Sequence, residues 1–142
     1  MALSISALEA NRSELLRQFL SLGDLRPGSV AAIPRRCGKK GCHCAQPDGE
    51  GHPQFRLHRK VGGKSVAESF ATPAAAQQAL AQVNEYHRFQ ELVAQLTAVN
   101  EQICSLRPPQ EASSDWTEAE KKNFLRSIGK SRKKFRRSSR SS

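Results

Sequence analysis

Three thiols lie within the segment Cys37-Gly38-Lys39-Lys40-Gly41-Cys42-His43-Cys44, and His52 follows it. Together they offer a Cys3His ligand set, and tetrahedral zinc requires four such donors that converge from a tight turn. Gly38 and Gly41 give the backbone the freedom to wrap around an ion. The sequence therefore predicts a structural zinc site, with buried or redox-active thiols as the alternative; its ligands are Cys37, Cys42, Cys44 and His52.

Two further residues are weaker candidates for the fourth position. His43 lies between two cysteines, so we expect its side chain to point away from an ion that they share. Cys104 lies far along a predicted helix and is expected to be a small core residue. Whether His52 or another residue completes the site stays open. A filled Cys3His set has no position for a catalytic water, so the metal is expected to stabilise the fold, and no enzyme is predicted.

The residues before the cysteines predict one helix and one strand. Leucines at helical spacing indicate a helix over residues 6–22. The capping box Ser6-x-x-Glu9 would open this helix, and Gly23 would close it in a left-handed conformation. Residues 30–34 are short and apolar, which favours a single strand.

The residues after the cysteines predict a β-hairpin. Two alternating runs, 55–61 and 64–70, are joined by Gly62-Gly63, and both central residues of a type I′ turn need positive φ. The expected buried side chains are apolar: Phe55, Leu57, Val66 and Phe70. Arg56, His58 and Lys60 have the opposite strand parity, so the other face of the hairpin should be cationic.

A long helix should follow, because Thr72-Pro73 supplies an N-cap and a first helical residue and no other Pro or Gly occurs before Pro108. If the first helix packs on the half near the hairpin, the far half presents an apolar seam to a second copy or another protein. The alternative is that the helix breaks near Asn84 or Asn100 and folds back. The seam has heptad spacing: Phe89, Leu92, Leu96, Val99, Ile103 and Leu106.

Charge divides the chain into a balanced body, residues 1–120, and a basic end. The formal net charge is +10, from 23 basic and 13 acidic residues, and none of the acidic residues lies after Glu120. The sequence predicts an α+β domain over 1–107, a linker over 108–116, and a short helix to about Ile128 followed by a disordered basic tail to 142. The N-terminus shows neither a signal peptide nor a membrane-spanning stretch, which favours the reducing cytoplasm.

Two groups of cations are candidate contacts for nucleic-acid phosphates, because clustered positive charge releases counterions from a polyanion. The first group surrounds the cysteines and the hairpin: Arg35, Arg36, Lys39, Lys40, Arg56, Lys60 and Lys64. The second group lies in the tail: Lys130, Arg132, Lys133, Lys134, Arg136, Arg137 and Arg140. The alternatives are cations that only lower the pKa of nearby thiols and a tail that only keeps the protein soluble.

Five short motifs occur in order within residues 20–107: Leu25-Arg26-Pro27-Gly28-Ser29, Arg36 to Cys44, Gly51-His52-Pro53, Val61-Gly62-Gly63-Lys64 and Tyr86 to Leu92. This combination resembles a family of small, functionally uncharacterised bacterial and archaeal proteins with a Cys-Gly-Lys-x-x-Cys-x-Cys motif, a following His-Gly-Pro and a long helix. The resemblance implies a zinc-binding domain of unknown activity, often encoded near transposase genes. It also marks Cys37, Cys42, Cys44 and His52 as the ligands. This chain has His52-Pro53-Gln54-Phe55 where the family carries His-Gly-Pro and then aromatic residues.

The leading hypothesis is a non-catalytic zinc protein that binds nucleic acid, DNA rather than RNA, as an accessory to a mobile-element recombinase. The alternatives are an interaction adaptor or homodimer that uses the long-helix seam, and a thiol or metal sensor.

Overall fold

The computed structural model describes residues 4–109 and 115–138. Helices and a three-stranded antiparallel sheet of order β1-β2-β3 make up these residues, and a short 3₁₀ turn, His43–Ala45, lies between β1 and β2. This architecture confirms the predicted α+β class. No helix within these two ranges is both long and apolar enough to cross a membrane. The elements are α1 Ile5–Leu20, β1 Ser29–Arg35, β2 His52–Val61, β3 Lys64–Ser69, α2 Pro73–Leu106 and α3 Glu118–Ser138.

The predicted caps of α1 are wrong, although the helix itself is confirmed. Ser4 is the N-cap, and its hydroxyl accepts a hydrogen bond from the Ala7 N–H at 3.3 Å. Glu9 forms an ion pair with Arg107 of α2 instead of a capping box. At the other end Ser21 satisfies the last carbonyls, since both its N–H and its hydroxyl donate to Gln18 O. A left-handed glycine is therefore not needed.

The hairpin turn is the one predicted from its two glycines. Gly62 and Gly63 have φ angles of 54° and 78°, so both adopt the left-handed conformation that a type I′ turn demands. Leu57 is buried, as expected. Val66 lies on the same face as Leu57, but it is 41% exposed, so its predicted burial is wrong. The reason is that α2 packs mainly on β1 and β2, while β3 forms the edge of the sheet.

The long helix is confirmed over 34 residues, from Pro73 to Leu106, and the alternative in which it breaks and folds back is wrong. Thr72 is its N-cap, and Thr72 Oγ1 accepts a hydrogen bond from Ala75 N–H at 3.2 Å. At about 1.5 Å per residue α2 is about 50 Å long, roughly twice the length of α1. Two different elements therefore pack along it.

The first helix packs on the far half of α2, so the expectation that this half is left uncovered is wrong. A single hydrophobic cluster joins the two helices, and Phe19, Leu22 and Leu96 pack against it. Leu106, at the end of the seam, stays 47% exposed. The buried members of the cluster are Leu8, Leu15, Leu92, Val99 and Ile103. The predicted seam is thus mainly an internal contact of this chain.

The half of α2 near its N-terminus receives the sheet. Ala76, Ala79 and Val83 are buried there, together with Leu57 of β2. Alanine side chains let a flat sheet approach the helix closely, whereas the larger apolar side chains further along fill the space beside a second helix. The size of the buried side chains therefore differs between the half of α2 that packs on the sheet and the half that packs on α1.

The segment that connects α1 to the sheet is held against the middle of α2. Gly23 N–H donates to Glu85 Oε1 at 3.0 Å, and Arg88 donates to the Ser21 hydroxyl at 2.8 Å. Arg26 N–H donates to Gln82 O at 3.2 Å. These contacts place the end of α1 where the sheet begins, which fixes the order of the two packing partners along α2.

Cys104 is exposed, which corrects its assignment to the core. Its neighbour Ile103 is buried against α1. Because consecutive helical residues point about 100° apart, the next side chain turns away from that contact.

The last helix begins with the predicted capping box. Thr117 Oγ1 accepts a hydrogen bond from Glu120 N–H at 3.3 Å, and Glu120 Oε2 accepts one from Thr117 N–H at 2.7 Å. The helix continues to Ser138 instead of ending near Ile128, because the basic segment contains good helix formers and no proline. Of the predicted linker, residues 110–114 lie outside the described residues, as do residues 139–142 of the predicted disordered tail.

Replacement of Leu15 by Ala should lower the free energy of unfolding by about 2–5 kcal/mol, because Leu15 is buried between α1 and α2. Leu16→Ala is the matched control: this neighbour is 47% exposed, and its loss should change stability by less than about 0.5 kcal/mol. Urea denaturation of both variants measures the difference. Equal stability of the two would contradict the described packing of α1.

Candidate metal centre

The pairing of β1 with β2 brings the four predicted ligands together. Arg35, the last residue of β1, lies opposite His52, the first residue of β2. Cys37 follows β1, while Cys42 and Cys44 lie at and within the 3₁₀ turn of the connecting loop. The loop therefore folds back over the end of the strand pair, and all of its candidate ligands meet there.

The four candidate ligand atoms lie close enough together to hold one metal ion. The four ligand atoms of Cys37, Cys42, Cys44 and His52 all lie within 4.8 Å of one another. The Sγ atoms of Cys37 and Cys44 are 3.4 Å apart, and Cys42 Sγ is 3.1 Å from His52 Nε2. Two sulfurs that each lie ~2.3 Å from a tetrahedral zinc are about 3.8 Å apart. His52 is thus close enough to complete the set.

The cluster is half enclosed, since Cys44 is buried, Cys42 and His52 are partly buried and Cys37 is exposed. His43 lies beside it: its ring is 5.0 Å from the His52 ring, and its Nδ1 is 3.8 Å from Cys42 Sγ. His43 therefore contacts the rim, and it is not part of the set of four.

The thiols of Cys37 and Cys44 differ in acidity. The pKa of Cys37 is lowered to about 7, because the backbone N–H of Lys39 and the thiol of Cys44 form hydrogen bonds to it. The pKa of Cys44 is raised: the backbone N–H of Cys37 lowers it, but burial and the adjacent Cys37 and Cys42 thiols outweigh that contact. Metal ions bind the thiolate, so Cys37 is the readier of the two to lose its proton.

The loop requires a glycine that sequence reasoning missed. A Cβ atom on Gly49 would lie 2.0 Å from the His43 carbonyl oxygen and 2.9 Å from Cys44 Cα, so the loop backbone could not pack this closely with any other residue. Of the two glycines that were expected to wrap the ion, Gly38 has a φ of 78°, and Gly41 has no positive φ. The only signal in the sequence is the alternation Gly49-Glu50-Gly51 before His52.

The predicted cations lie around the cluster and across the sheet. Arg36, Lys39 and Lys40 are exposed on the loop. Arg56 and Lys60 share one face of β2 with His58, as predicted, because the register pairs them with Ser69, Ser65 and Ala67. Lys64 pairs with Val61 and therefore belongs to the opposite face.

These cations have no acidic partner among the described residues, whereas four of the five other basic side chains of the body have one. Arg17, Arg26, Arg88 and Arg107 each form an ion pair with a glutamate. Among the described residues, no cation between Arg35 and Lys64 does so. Positive and negative charges are therefore equal in number in the body, but the cations around the cluster lie apart from the acidic residues.

A cleft of about 480 Å³ adjoins the cluster. Its lining includes two arginines, two candidate ligands and two aromatic residues: Arg35, Arg36, Cys37, His52, Phe55 and Phe70. Arg35 also donates a long hydrogen bond of 3.4 Å to Gln54. Positive charge and aromatic surface therefore meet beside the metal ligands.

The second group of predicted cations lies on or beyond α3. Lys130 is exposed on this helix. Arg132, Lys133, Lys134, Arg136 and Arg137 belong to its last turns, and Arg140 lies outside the described residues.

Residues 5–73, just under half of the chain, match the family described as Domain of unknown function (DUF6788). The matched range contains α1, the whole sheet and all four residues of the cluster, and it ends at the first residue of α2. It is consistent with the expected resemblance to an uncharacterised family, although the motif from Tyr86 to Leu92 lies outside it. No curated protein and no solved structure matches the chain.

Replacement of Gly49 by Ala should reduce metal retention and lower the melting temperature, because the added methyl group collides with the backbone that carries Cys44. Gly41→Ala is the control in the same loop, since a Cβ there meets no atom within 4 Å. Metal content after gel filtration and thermal unfolding measure both effects. Metal retention by Gly49→Ala equal to that of Gly41→Ala would contradict the described loop.

Proposed function

We propose that this protein is a non-catalytic zinc protein that binds nucleic acid. The observation that carries the proposal is the position of a complete Cys3His cluster inside a set of exposed cations that have no carboxylate partner among the described residues. The metal would stabilise the end of the sheet, and the cations would bind phosphates.

The donor set favours zinc. Three sulfurs and one imidazole nitrogen are the soft and borderline ligands of structural zinc sites, and four-coordinate tetrahedral geometry satisfies them fully. Cys37, Cys42, Cys44 and His52 would fill every position, so the ion would have no open site for water. A metal ion that cross-links the β1–β2 end would add stability to a sheet whose hydrophobic core is small.

Cys42→Ser should abolish stoichiometric zinc binding, because serine is a poor ligand for zinc and Cys42 contacts His52 within the cluster. Cys104→Ser is the matched control: this exposed cysteine on α2 lies outside the cluster, so its variant should keep one zinc per chain. Elemental analysis of both purified proteins decides the result. A folded wild-type protein without metal would contradict the zinc proposal.

The segregated charges support nucleic acid as the partner. Fixed cations on a sheet and its loop can bind several phosphates at once, and the release of counterions makes such binding dependent on salt. The basic helix α3 would add affinity without sequence preference, since contacts to phosphates carry no sequence information. Specificity would then reside in the body. The family resemblance makes a mobile-element recombinase the first protein partner to test.

The replacement of Lys122, Arg126 and Lys130 by Gln should weaken binding to duplex DNA and reduce the slope of log K against log salt by up to about 3 units, about 0.9 for each lost phosphate contact. The control keeps the charge at the same positions: Lys122→Arg, Arg126→Lys and Lys130→Arg. Fluorescence anisotropy across a salt series measures both variants. Absence of wild-type binding at low salt, or a flat salt dependence, would contradict nucleic-acid binding.

A further inference from the structure

The sheet has one face that no other described element covers, and we call it the outer face. Because α2 packs against the side that carries Leu57, the alternate residues of each strand point away from the helix. On the central strand β2 these residues form a row of four polar side chains: Gln54, Arg56, His58 and Lys60.

Small side chains flank three residues of this row, Arg56, His58 and Lys60. On β1, Ala31 lies opposite Arg56, and on β3, Ala67 lies opposite His58 while Ser65 lies opposite Lys60. Gln54 differs, because the larger Ile33 of β1 lies opposite it. Arg56, His58 and Lys60 therefore extend beyond the shorter side chains beside them. A surface of this shape can insert into a groove, since the flanking strands do not obstruct the approach.

The outer face carries hydrogen-bond donors and no carboxylate that would compete with DNA for them. No strand position on this face holds a carboxylate. The acidic residue of β3, Glu68, pairs with Leu57 on the inner side and forms an ion pair with Arg26. Arg56 is partly buried, and its Nε is buried without a hydrogen-bond partner. Packing holds this side chain in place, while the face as a whole offers donors that lack acceptors.

The dimensions fit the major groove of B-form DNA. Neighbouring strands lie ~4.8 Å apart, so the two outer strands of the sheet are about 10 Å apart. The major groove is about 12 Å wide and admits a two-stranded β-ribbon, so β2 with one of its neighbours is the pair that would enter it. Arg binds the O6 and N7 atoms of guanine, Gln binds N6 and N7 of adenine, and Lys also favours guanine.

We propose that the outer face binds in the major groove of duplex DNA and reads guanine through Arg56. This proposal rests on the proposed nucleic-acid binding and names its substrate class. Duplex RNA is a poorer ligand because its A-form major groove is deep and narrow. Single-stranded DNA presents no groove for the row to enter.

The test begins with selection of binding sites from a random duplex library by the full-length protein. Fluorescence anisotropy then compares the selected duplex with a scrambled duplex, the single strand and duplex RNA of the same sequence. We expect the selected site to contain guanine and to bind about 5- to 150-fold more tightly than the scrambled duplex, the range that one bidentate base contact supplies. Methylation of guanine N7 in the selected duplex should abolish this preference, because N7 lies in the major groove.

Arg56→Ala should remove the preference for the selected duplex. Arg59→Ala is the matched control, since Arg59 is exposed on the same strand and pairs with Val66 on the opposite face, and it should keep the preference. Arg56→Lys retains the charge, and it should keep the salt dependence while the preference for guanine becomes weaker, because lysine lacks the rigid planar fork of arginine.

The outcomes separate this inference from the function on which it rests. Salt-dependent binding without sequence preference, equal effects of Arg56→Ala and Arg59→Ala, or binding that tolerates N7 methylation would each overturn the outer-face proposal and leave nucleic-acid binding intact. No binding to any nucleic acid at low salt would overturn both.

Discussion

The geometry of the candidate site depends on the pairing of β1 with β2, which brings four ligand atoms together at one end of the two strands. The register that sets Arg35 opposite His52 defines where the loop leaves and returns, and the cluster holds the loop across that end. Without the ion, the Cys37 and Cys44 sulfurs are 3.4 Å apart, a distance at which two thiolates would repel each other. With it, the same sulfurs become a cross-link in a sheet that has little apolar surface of its own.

A metal cross-link at this position would also affect the arrangement of charge. It would hold Arg35 and Arg36 beside the cluster and fix the start of the strand that carries Arg56. Elsewhere four arginines, Arg17, Arg26, Arg88 and Arg107, form ion pairs with glutamates from α1, α2 and β3. The body therefore contains a cationic region although its net charge is near zero. The basic residues of α3 add a second cationic segment.

Local patterns in the sequence predict much of this fold and of its site. The cysteine spacing, the Gly62-Gly63 turn and the Thr72-Pro73 helix start each depend on a few adjacent residues, and the structure agrees with all three. Heptad spacing shows which face of α2 is apolar, but it does not identify the element that covers it. The requirement for Gly49 arises from a contact with the His43 carbonyl, which exists only after the loop has folded.

Two separate cores share the single helix α2, one with α1 and one with the sheet. The α1–α2 cluster contains neither the ligands nor any strand residue, so none of its contacts involves a metal ligand. Proteins open locally in cooperative units of different free energy, and the sheet and the α1–α2 pair would be two such units. In metal-poor surroundings the sheet would open first, and amide hydrogen exchange would accelerate across β1–β3 and the first turns of α2 while the α1–α2 contact stayed protected. Metal supply would then set the lifetime of the ordered sheet without setting that of the whole chain.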